Sequence, residues 1–310
     1  MGHLKHSKTQ KIIESNKPFF PKLPAMKQTF FTLTVLFFSF LSFAAQGEEL
    51  RFLAANIWGD YFGNPVEGRD ASFTAVFKRY DPDLIALQEV TPNWWKSSLF
   101  KDLAADYGII GADENPADYV PLLYKKSRLE LLENGFDAFD LKLDRSKGMT
   151  WAVLKDRKSG KTFIAFSTHY WWKGGPENDA IRLTNSQMIV SRLETLQAKW
   201  NCPAIGGGDL NSRPGSEAHK FLNEKGFFSA QEIADSASPE ASHHGDPVKG
   251  ADGKYHGTPR PTGNVKANSI DHIFVEKARI HVKVMRVILD QDALDSSDHS
   301  PIYADFELQN

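Results

Sequence analysis

Apolar and polar positions alternate with two different periods along residues 48–308, and this predicts a chain of mixed strands and helices. Short apolar runs and alternation with a period of two predict strands near residues 50–56, 84–89, 118–126, 129–139, 149–157, 162–171, 203–207, 269–275, 280–288 and 301–308. Apolar positions at helical spacing predict helices at 70–80, 92–106, 179–200 and 216–225. The polar stretch 236–268 is interpreted as a long functional loop. Hairpins mixed with helical crossovers predict an α/β fold in which two packed sheets carry helices on their outer faces.

The first 47 residues have the pattern of an export signal. From Met26 a positively charged start leads into an apolar run of about 14 residues, which ends at small residues in 44–47. Spanning a bilayer takes roughly 20 apolar residues, so a retained membrane anchor is the less favoured alternative. We expect residues 1–47 to be a signal peptide, with 1–25 an extension from a mis-called upstream start. The domain 48–310 is then secreted or periplasmic after cleavage.

Composition narrows the kinds of protein that this chain can be. Of its 310 residues, 41% are hydrophobic and 25% charged, as in ordinary soluble domains and unlike disordered or polytopic membrane proteins. The single cysteine, Cys202, excludes an internal disulfide and a zinc site built on cysteines. Residues 1–47 hold six of 37 basic and one of 39 acidic residues, which leaves a formal charge of −7 on the rest. Such a surface gives no general attraction to nucleic acid, so any phosphate must be bound by a local site or a cation.

Polar residues suited to metal binding or acid–base chemistry stand at the ends of several predicted strands. Beside buried apolar runs, such groups are costly unless they pair or bind a cation. Any one of them alone is more often a turn or cap residue. Together they form an ordered series: Asn56, Gln88-Glu89, Thr168-His169, Gly208-Asp209-Leu210-Asn211, Ile270-Asp271 and Ser297-Asp298-His299. We expect this series to converge on one edge of the sheets.

The series resembles the motifs of the endonuclease/exonuclease/phosphatase superfamily, and the resemblance extends over residues 48–308. That superfamily includes deoxyribonuclease I, abasic-site endonucleases, sphingomyelinases and inositol polyphosphate phosphatases. The resemblance implies a four-layer α/β/β/α sandwich with two central mixed β-sheets, and Mg²⁺-dependent cleavage of a phosphoester. Trp58 and the pair Thr168-His169 are more similar to the secreted phosphodiesterase and sphingomyelinase branches than to the abasic-site enzymes.

Phosphodiester hydrolysis needs a water nucleophile, neutralised phosphate oxygens and help for the leaving oxygen. A hard cation, Mg²⁺ or alternatively Mn²⁺, held by carboxylate and amide oxygens suits the second task. Glu89 is the best ligand by this argument, with Asn56 beside it, and the resemblance adds Asp298. The resemblance also implies that Asp209 polarises the attacking water and that Asn211 donates to the phosphate.

Two histidines are predicted to face the phosphate from opposite walls. His299 is expected to be cationic there, and the sequence leaves open whether it acts as a base or as a phosphate donor. The resemblance assigns Asp271 as the carboxylate that orients His299. It also implies an acidic partner for His169, and Asp118 stands at about the right place, where the family's usual residue is the longer Glu.

Three further residues are predicted to contact the substrate. Arg182 resembles an arginine that follows the histidine-containing strand in the family, although a solvated helix face is an equally good interpretation. The segment Tyr170-Trp171-Trp172-Lys173, beside His169, is a candidate stacking or lipid-contact platform with Trp171 as the predicted contact, although packing is the more frequent role of such aromatics. Tyr124, at the end of its predicted strand, is the third predicted substrate contact.

The histidines of the long polar stretch are not predicted to be functional. His243, His244 and His256 lack ligand-like spacing on a regular element, so we expect exposed loop residues.

The sequence leaves the substrate open. The leading hypothesis is a secreted, Mg²⁺-dependent phosphodiester hydrolase, either a nuclease or a lipid or small-molecule phosphodiesterase. We expect it to act as a monomer without an obligate protein partner. A phosphomonoesterase on the same fold is the nearest alternative. A non-catalytic phosphate-binding module would require a lost motif residue, and the series is complete.

Overall fold

The computed structural model describes residues 48–111, 119–259 and 269–309. The predicted export signal in 1–47 and the predicted orienting residue Asp118 lie outside these ranges, so both stay predictions.

The described part of the chain contains fifteen strands and seven helices. The strands are β1 (Leu50–Asn56), β2 (Leu84–Gln88), β3 (Tyr107–Ile110), β4 (Leu122–Lys125), β5 (Leu129–Ala138), β6 (Gly148–Asp156), β7 (Thr162–His169), β8 (Ala204–Asp209), β9 (Phe227–Ser229), β10 (Ser236–Ala237), β11 (Val248–Lys249), β12 (Tyr255–His256), β13 (Asp271–Glu276), β14 (Ile280–Val287) and β15 (Ile302–Leu308). The helices are α1 (Arg69–Tyr80), α2 (Pro92–Lys96), α3 (Ser98–Leu103), α4 (Pro176–Trp200), α5 (Glu217–Glu224), α6 (Ala230–Ile233) and α7 (Gln291–Leu294).

Two large mixed sheets form the centre of the fold. One has the strand order β10-β14-β15-β1-β2-β4-β3, and the other has the order β5-β6-β7-β8-β13-β9. Parallel pairs in each sheet, β1 with β2 and β7 with β8, require crossover connections, which α1 and α4 provide. This arrangement confirms the predicted four-layer sandwich.

Three apolar clusters hold the four layers together. The inner faces of the two sheets meet between them, where Phe163 and Phe306 lie edge to face with their ring centroids 6.2 Å apart. On the outer face of the first sheet, Phe73 of α1 packs against Trp94 of α2. On the outer face of the second, α4 buries Leu193. Each fully buried side chain of this size contributes roughly 1.5–3 kcal/mol, so the strands that carry the site are firmly supported.

The structure differs from the predicted elements in places where local chemistry overrides periodicity. The helix predicted over 92–106 is divided into α2 and α3, because Ser97 is extended and its side chain accepts a hydrogen bond from Leu99 N to start the second helix. α3 ends at Leu103, three residues before the predicted end of the helix, and the polar stretch 236–268 contains three short strands. Within the described ranges, no helix is long and apolar enough to cross a membrane.

Candidate active site

The ends of strands from both sheets meet at one edge of the sandwich. β1 and β2 run parallel and place Asn56 opposite Gln88 where both strands end. β7 and β8 also run parallel and place His169 opposite Asp209. β13 is antiparallel to β8 and begins at Asp271, opposite Asp209. The polar series of the sequence is therefore gathered at one place because the strands that carry it end there.

A glycine allows the two sheets to approach each other behind the site. A Cβ atom on Gly208 would lie 2.2 Å from the Thr168 carbonyl oxygen and 2.5 Å from Gln88 Nε2, so no side chain fits. Gln88 Nε2 donates to Ser167 Oγ at 3.1 Å, and this hydroxyl donates to the Leu87 carbonyl at 2.9 Å. These hydrogen bonds connect β2 of one sheet to β7 of the other directly beneath the catalytic edge.

Three site residues that are not glycine have left-handed backbone conformations. Trp58, Glu89 and Asn211 have φ angles of 55°, 62° and 48°. Such conformations cost on the order of 1–3 kcal/mol each, and they persist where the surrounding structure enforces them. Side-chain carboxylates hold two of these turns, since Glu89 Oε2 accepts from Gly59 N at 2.7 Å and Asp209 Oδ1 accepts from Asn211 N at 2.8 Å.

Asn56 links two acids at the centre of the site. Its Nδ2 donates to Glu89 Oε1 at 3.2 Å and to Asp209 Oδ2 at 3.0 Å. Its Oδ1 accepts from Trp58 N at 3.0 Å. Asn56 therefore fixes the spacing of the two carboxylates, a positioning role in addition to the predicted role as a ligand.

His299 forms one wall of the site together with Asp271. The two side chains are buried, and His299 Nδ1 lies 2.8 Å from Asp271 Oδ2. Ser242 Oγ donates to the same carboxylate oxygen at 2.7 Å, which fixes its orientation. Burial alone would lower the pKa of His299, but the negative charges of Asp271, Asp298 and Asp209 raise it well above its usual value. The imidazole is thus stabilised as a cation.

Asp209 lies between the two histidines. Its Oδ2 is 3.2 Å from His169 Nε2 and 3.8 Å from His299 Nε2. Burial alone would raise the pKa of Asp209, but the two imidazoles hold that pKa far below its usual range. This buried carboxylate is therefore ionised and can accept a hydrogen bond from a water molecule beside it.

The wall around His169 contains a lysine that sequence reasoning missed. Lys147 is buried, and its Nζ lies 3.1 Å from His169 Nδ1 and 2.9 Å from Nε2. Asn211 Nδ2 approaches His169 Nε2 at 3.3 Å from another side. Burial lowers the pKa of Lys147, while the charges of Glu89, Asp144 and Asp209 oppose this. A lysine directly before a buried strand was the available signal, but such a lysine alone predicts a surface residue.

The long polar stretch also supplies a side chain to the site, His243, which the sequence predicts to be an exposed loop residue. His243 is half-buried; its ring centroid lies 4.7 Å from that of His299, and its Nε2 is 4.0 Å from Asp298 Oδ2. His244 is buried as well, with Nδ1 3.1 Å from Ser300 Oγ. The exposed-loop prediction is wrong for these two, because the backbone of 242–245 bonds to residues 298–300 and folds onto the site. His256 is exposed, as expected.

These groups line a cavity of about 570 Å³ that opens at the catalytic edge. The floor is formed by residues already described: Glu89, Lys147, His169, Asp209, Asn211, His243, Asp298 and His299. The rim carries exposed aromatic side chains, of which Phe62 is 85% and Trp172 58% exposed. The cavity therefore offers a polar, charged floor and an apolar mouth.

Comparison with known proteins identifies this architecture. The family model described as "Endonuclease/Exonuclease/phosphatase family" matches residues 53–299, well over half of the chain. The chain belongs to the endonuclease/exonuclease/phosphatase family. Proteins of this family are phosphoester hydrolases and generally depend on a divalent metal. No curated protein sequence gives a significant match.

Solved structures from the family share the fold at low sequence identity. A Bacteroides vulgatus endonuclease/exonuclease/phosphatase is 24% identical with a TM-score of 0.67, over 84% of this chain and 100% of that chain. The Bacteroides thetaiotaomicron mannosyl-6-phosphatase is 18% identical with a TM-score of 0.66, over 83% of this chain and 99% of that chain. D. rerio TDP2 complexed with a single-strand DNA product is 20% identical with a TM-score of 0.63, over 84% and 99%.

The prediction that Tyr124 contacts the substrate is wrong. It lies on β4 opposite Leu84, the first residue of β2, whereas Glu89 directly follows the last. β4 runs antiparallel to β2, so its carboxyl end lies at the edge of the sheet away from the site. The prediction failed because it assumed that the end of β4 faces the same way as the ends of β1 and β2.

Trp171 and Arg182, also predicted to contact the substrate, have structural contacts instead. Trp171 is buried, and its Nε1 donates to Asn178 Oδ1 at 2.5 Å, so it packs and does not form an open platform. The exposed aromatic side chain belongs to the next residue, Trp172. Arg182 is buried and donates to the carbonyls of Trp171 and Lys173 at 3.0 and 2.6 Å. Its guanidinium therefore fixes the loop after β7.

The donor set of this family member suits a hard divalent cation. Three groups each bring three ligand atoms within 4.8 Å of one another: Glu89 with His169 and Asp209, His243 with Asp298 and His299, and Asp209 with Asp271 and His299. The predicted ligands Glu89 and Asp298 belong to different groups, and Asn56 contacts two members of the first group, Glu89 and Asp209.

The negative charge of Glu89 nevertheless acts on Asp298. Burial raises the pKa of Asp298 to about 6; the charge of His299 opposes this, and the charge of Glu89 adds to it. Two carboxylates that repel each other at a buried edge are stabilised when a cation lies between them. The residues present therefore fit the divalent metal on which the family generally depends.

Proposed function

We propose that this protein is an exported, Mg²⁺-dependent phosphodiester hydrolase. The observation that carries the proposal is the buried carboxylate of Asp209 between His169 and His299, 3.2 and 3.8 Å away, on the floor of an open cavity. A fixed acid beside two imidazoles can orient a water molecule for attack while the imidazoles face the developing charge of the phosphate. No such arrangement is needed for a purely structural strand end.

Each wall would act on a different part of the reacting phosphate. The cationic His299, held at 2.8 Å by Asp271, donates a hydrogen bond to a phosphate oxygen through Nε2. Asn211 Nδ2 and Lys147 Nζ lie beside His169 and provide further donors to the remaining oxygens. Asp209 accepts a hydrogen bond from the attacking water and sets its direction. Positioned donors of this kind typically contribute a hundredfold or more to turnover.

Glu89, Asp298 and Asn56 are the residues that would hold the metal ion. Bound there, Mg²⁺ would supply Lewis-acid neutralisation of the phosphate oxygens. Asn56 keeps Glu89 and Asp209 apart at fixed distances, so the same side chain couples the metal site to the water-orienting carboxylate.

Phosphomonoester hydrolysis is the second candidate. The mannosyl-6-phosphatase from Bacteroides thetaiotaomicron shares the fold with a TM-score of 0.66. The cationic His299 and the amino group of Lys147 on the same floor would also suit a dianionic monoester. A matched pair of chromogenic substrates separates the two candidates: bis(p-nitrophenyl) phosphate and p-nitrophenyl phosphate, each assayed with Mg²⁺, Mn²⁺ and EDTA. A kcat/KM that favours the monoester would replace the phosphodiesterase proposal.

Export is the part of the proposal that rests on residues 26–47 alone, with their charged start, apolar run and small residues. We expect the mature chain to begin close to residue 48. Mass spectrometry of the secreted protein measures its first residue, and recovery of residues 1–25 in that protein would contradict the assignment.

The metal assignment predicts a specific defect for Glu89→Gln. Removing one carboxylate charge should raise the Mg²⁺ concentration needed for half-maximal activity by about tenfold or more, while the circular dichroism spectrum and melting temperature change little. Isothermal titration with Mg²⁺ alone should show the same weakening. Glu130→Gln, on the exposed side of β5, is the matched control and should titrate as the wild type does. An unaltered metal titration in Glu89→Gln would remove Glu89 from the site.

A further inference from the structure

Arg69, the first residue of α1, is a buried arginine that does not line the catalytic cavity. Only 5% of its surface is exposed. Burial lowers its pKa to about 10, and the negative charges of Asp60, Asp298 and other nearby groups oppose this, so the guanidinium is charged at neutral pH. A buried charge is costly to the fold, so its contacts should show why it is retained.

The guanidinium of Arg69 donates to main-chain carbonyls from three segments of the chain. Its Nη1 lies 3.0 Å from the carbonyl oxygen of Ile57, 2.8 Å from that of Trp58 and 3.0 Å from that of Ser296. Its Nε donates to the Pro65 carbonyl at 2.6 Å. Ser296 is 227 residues away from Arg69 in the chain. One side chain thus connects the segment after β1, the loop before α1 and the segment that leads to Asp298.

Two indole rings fix the orientation of this guanidinium. Arg69 Cζ lies 5.2 Å from the ring centroid of Trp58 and 5.0 Å from that of Trp94. Trp94 Nε1 also donates to the Trp58 carbonyl at 3.3 Å, so the two aromatic residues are connected to each other. The planar fork of an arginine can reach several acceptors at once in a fixed geometry, whereas the compact ammonium of a lysine cannot.

The segment after β1 carries a strained turn that reaches the metal site. Trp58 has a φ angle of 55°, and such a conformation persists only where neighbouring groups enforce it. The next residue, Gly59, donates its N–H to Glu89 Oε2 at 2.7 Å. Arg69 holds this turn through the Trp58 carbonyl, so it helps to set the position of the N–H that orients the Glu89 carboxylate.

The segment that leads to Asp298 is held by the same guanidinium. Ser296, whose carbonyl accepts from Arg69, stands two residues before Asp298. Ser297 Oγ donates to the Asn56 carbonyl at 2.8 Å, which connects this segment to the end of β1 at a second point. The spacing between the Glu89 side of the metal site and the Asp298 side therefore depends on contacts in which Arg69 takes part.

We infer that Arg69 is a positioning residue of the metal site, which keeps Glu89 and Asp298 at the spacing that binds the cation. The inference rests on the proposed function, which places the metal ion at these two carboxylates. Arg69 acts through the Trp58 and Ser296 carbonyls and not through its charge. A positive charge near the site repels a cation, so charge and position predict opposite effects when the guanidinium is removed.

Isothermal titration with Mg²⁺ tests this inference in Arg69→Lys and Arg69→Met. Arg69→Lys keeps the charge but loses the fork, so Mg²⁺ should bind about tenfold more weakly. Arg69→Met should also bind Mg²⁺ more weakly, although it removes a repelling charge. At saturating Mg²⁺ the kcat of Arg69→Lys should recover to within about threefold of the wild type, because the bound cation restores the spacing. Unchanged Mg²⁺ affinity in Arg69→Lys, or tighter binding in Arg69→Met, would overturn the inference, and Arg69→Lys decides it if Arg69→Met does not fold.

Arg128→Lys is the matched control for a loss of stability alone. Arg128 has a largely buried side chain, 10% exposed, and its Nε lies 2.7 Å from Asp156 Oδ1 at the end of β6 that is away from Lys147. This variant should have a lower melting temperature, as Arg69→Lys should, but bind Mg²⁺ as the wild type does. Weaker Mg²⁺ binding in Arg128→Lys as well would mean that any loosening of the fold disturbs the metal site, and would overturn the role of Arg69.

The binding measurement separates this inference from the proposed reaction. Mg²⁺ binding that weakens in Arg69→Lys but not in Arg128→Lys, in a protein that does not hydrolyse bis(p-nitrophenyl) phosphate, would support the role of Arg69 and refute the phosphodiesterase. Hydrolysis of that ester by the wild type, with the same Mg²⁺ affinity in Arg69→Lys, would support the phosphodiesterase and refute the role of Arg69. A wild type that binds no Mg²⁺ would refute both.

Discussion

The two buried histidines of the site, His299 and His169, have chemically different partners. His299 and His169 are both buried and both approach Asp209. Yet His299 has a carboxylate, Asp271, on its other ring nitrogen, whereas His169 lies against the ammonium of Lys147. On one wall an acid stabilises the positive charge of the histidine itself. On the other wall the neighbour of the histidine is a buried lysine in place of an acid.

This difference teaches that a histidine in a motif does not reveal its own electrostatic role. The partners decide it, and they come from distant parts of the chain: Asp271 lies 28 residues before His299, and Lys147 lies 22 residues before His169. Breaking each pair separately should therefore give different signatures in rate, stability and pH dependence.

The largest effect is expected on the His299 wall. Asp271→Asn removes the charge that stabilises and orients the imidazole, so turnover should fall by roughly a hundredfold or more. His299→Ala should lose at least as much, and the double variant little more, because the two residues act as a unit. The measurement is kcat and KM for all three variants at saturating Mg²⁺.

Metal dependence separates this pair from the metal site. The Mg²⁺ concentration for half-maximal activity should hardly change in Asp271→Asn or His299→Ala, in contrast to Glu89→Gln. Fully additive losses, or an Asp271→Asn enzyme that recovers its rate in excess Mg²⁺, would show that Asp271 is a ligand or a structural acid instead.

The effect on turnover should be smaller on the other wall, where the variant should not lose stability. Lys147→Met removes a buried charge while keeping an unbranched side chain, so turnover should fall by roughly ten- to a hundredfold. Because burial disfavours the charged amine, the melting temperature should stay level or rise. Lys147→Arg should restore part of the rate. A loss of rate that follows a loss of folded protein would reduce Lys147 to a structural residue.

The sequence predicts the His299 wall better than the His169 wall for a physical reason. Asp271 and His299 each lie beside a buried strand, where an unpaired charge is costly, so their polarity is informative. Lys147 precedes β6 in a polar turn and is brought next to His169 because Gly148 pairs with His169 across β6 and β7. That contact depends on the register between two strands, which cannot be predicted from the periodicity of one strand.

The errors and gaps in the predicted site have the same origin. Tyr124 was misplaced because the direction of β4 depends on its pairing with β2 and not on its own sequence. His243 became part of the site because Ser242 bonds to Asp271 and to Ser300 N, and these contacts lie far apart in the chain. The layers and the strand-end acids followed from local patterns, whereas the contacts between loops did not.

The smallest effect concerns another buried histidine at the same edge, His272, whose surroundings lower its pKa, whereas those of His299 raise it. His272 follows Asp271 on β13 but faces the other side, where its Nε2 lies 2.8 Å from the Ser212 carbonyl and its ring lies 5.2 Å from that of His219. Burial and the neighbouring His219 lower the pKa of His272 to about 4. The unfolded chain therefore binds a proton below its usual pKa of about 6.5 while the folded protein does not, so acid destabilises the fold.

The sign and size of this effect follow from the two pKa values. Above pH 6.5 both states carry a neutral His272; as the pH falls toward 4, only the unfolded state is protonated, and stability declines until the folded state is protonated as well. Between pH 7.5 and 5.5 this amounts to about 1 kcal/mol of unfolding free energy. His272→Gln removes the titration and can keep the hydrogen bond to Ser212, so urea unfolding at the two pH values should show a drop smaller by that amount than in the wild type. An equal drop in both proteins would mean that another group, such as the buried His244, whose pKa burial also lowers, controls the acid sensitivity of this edge.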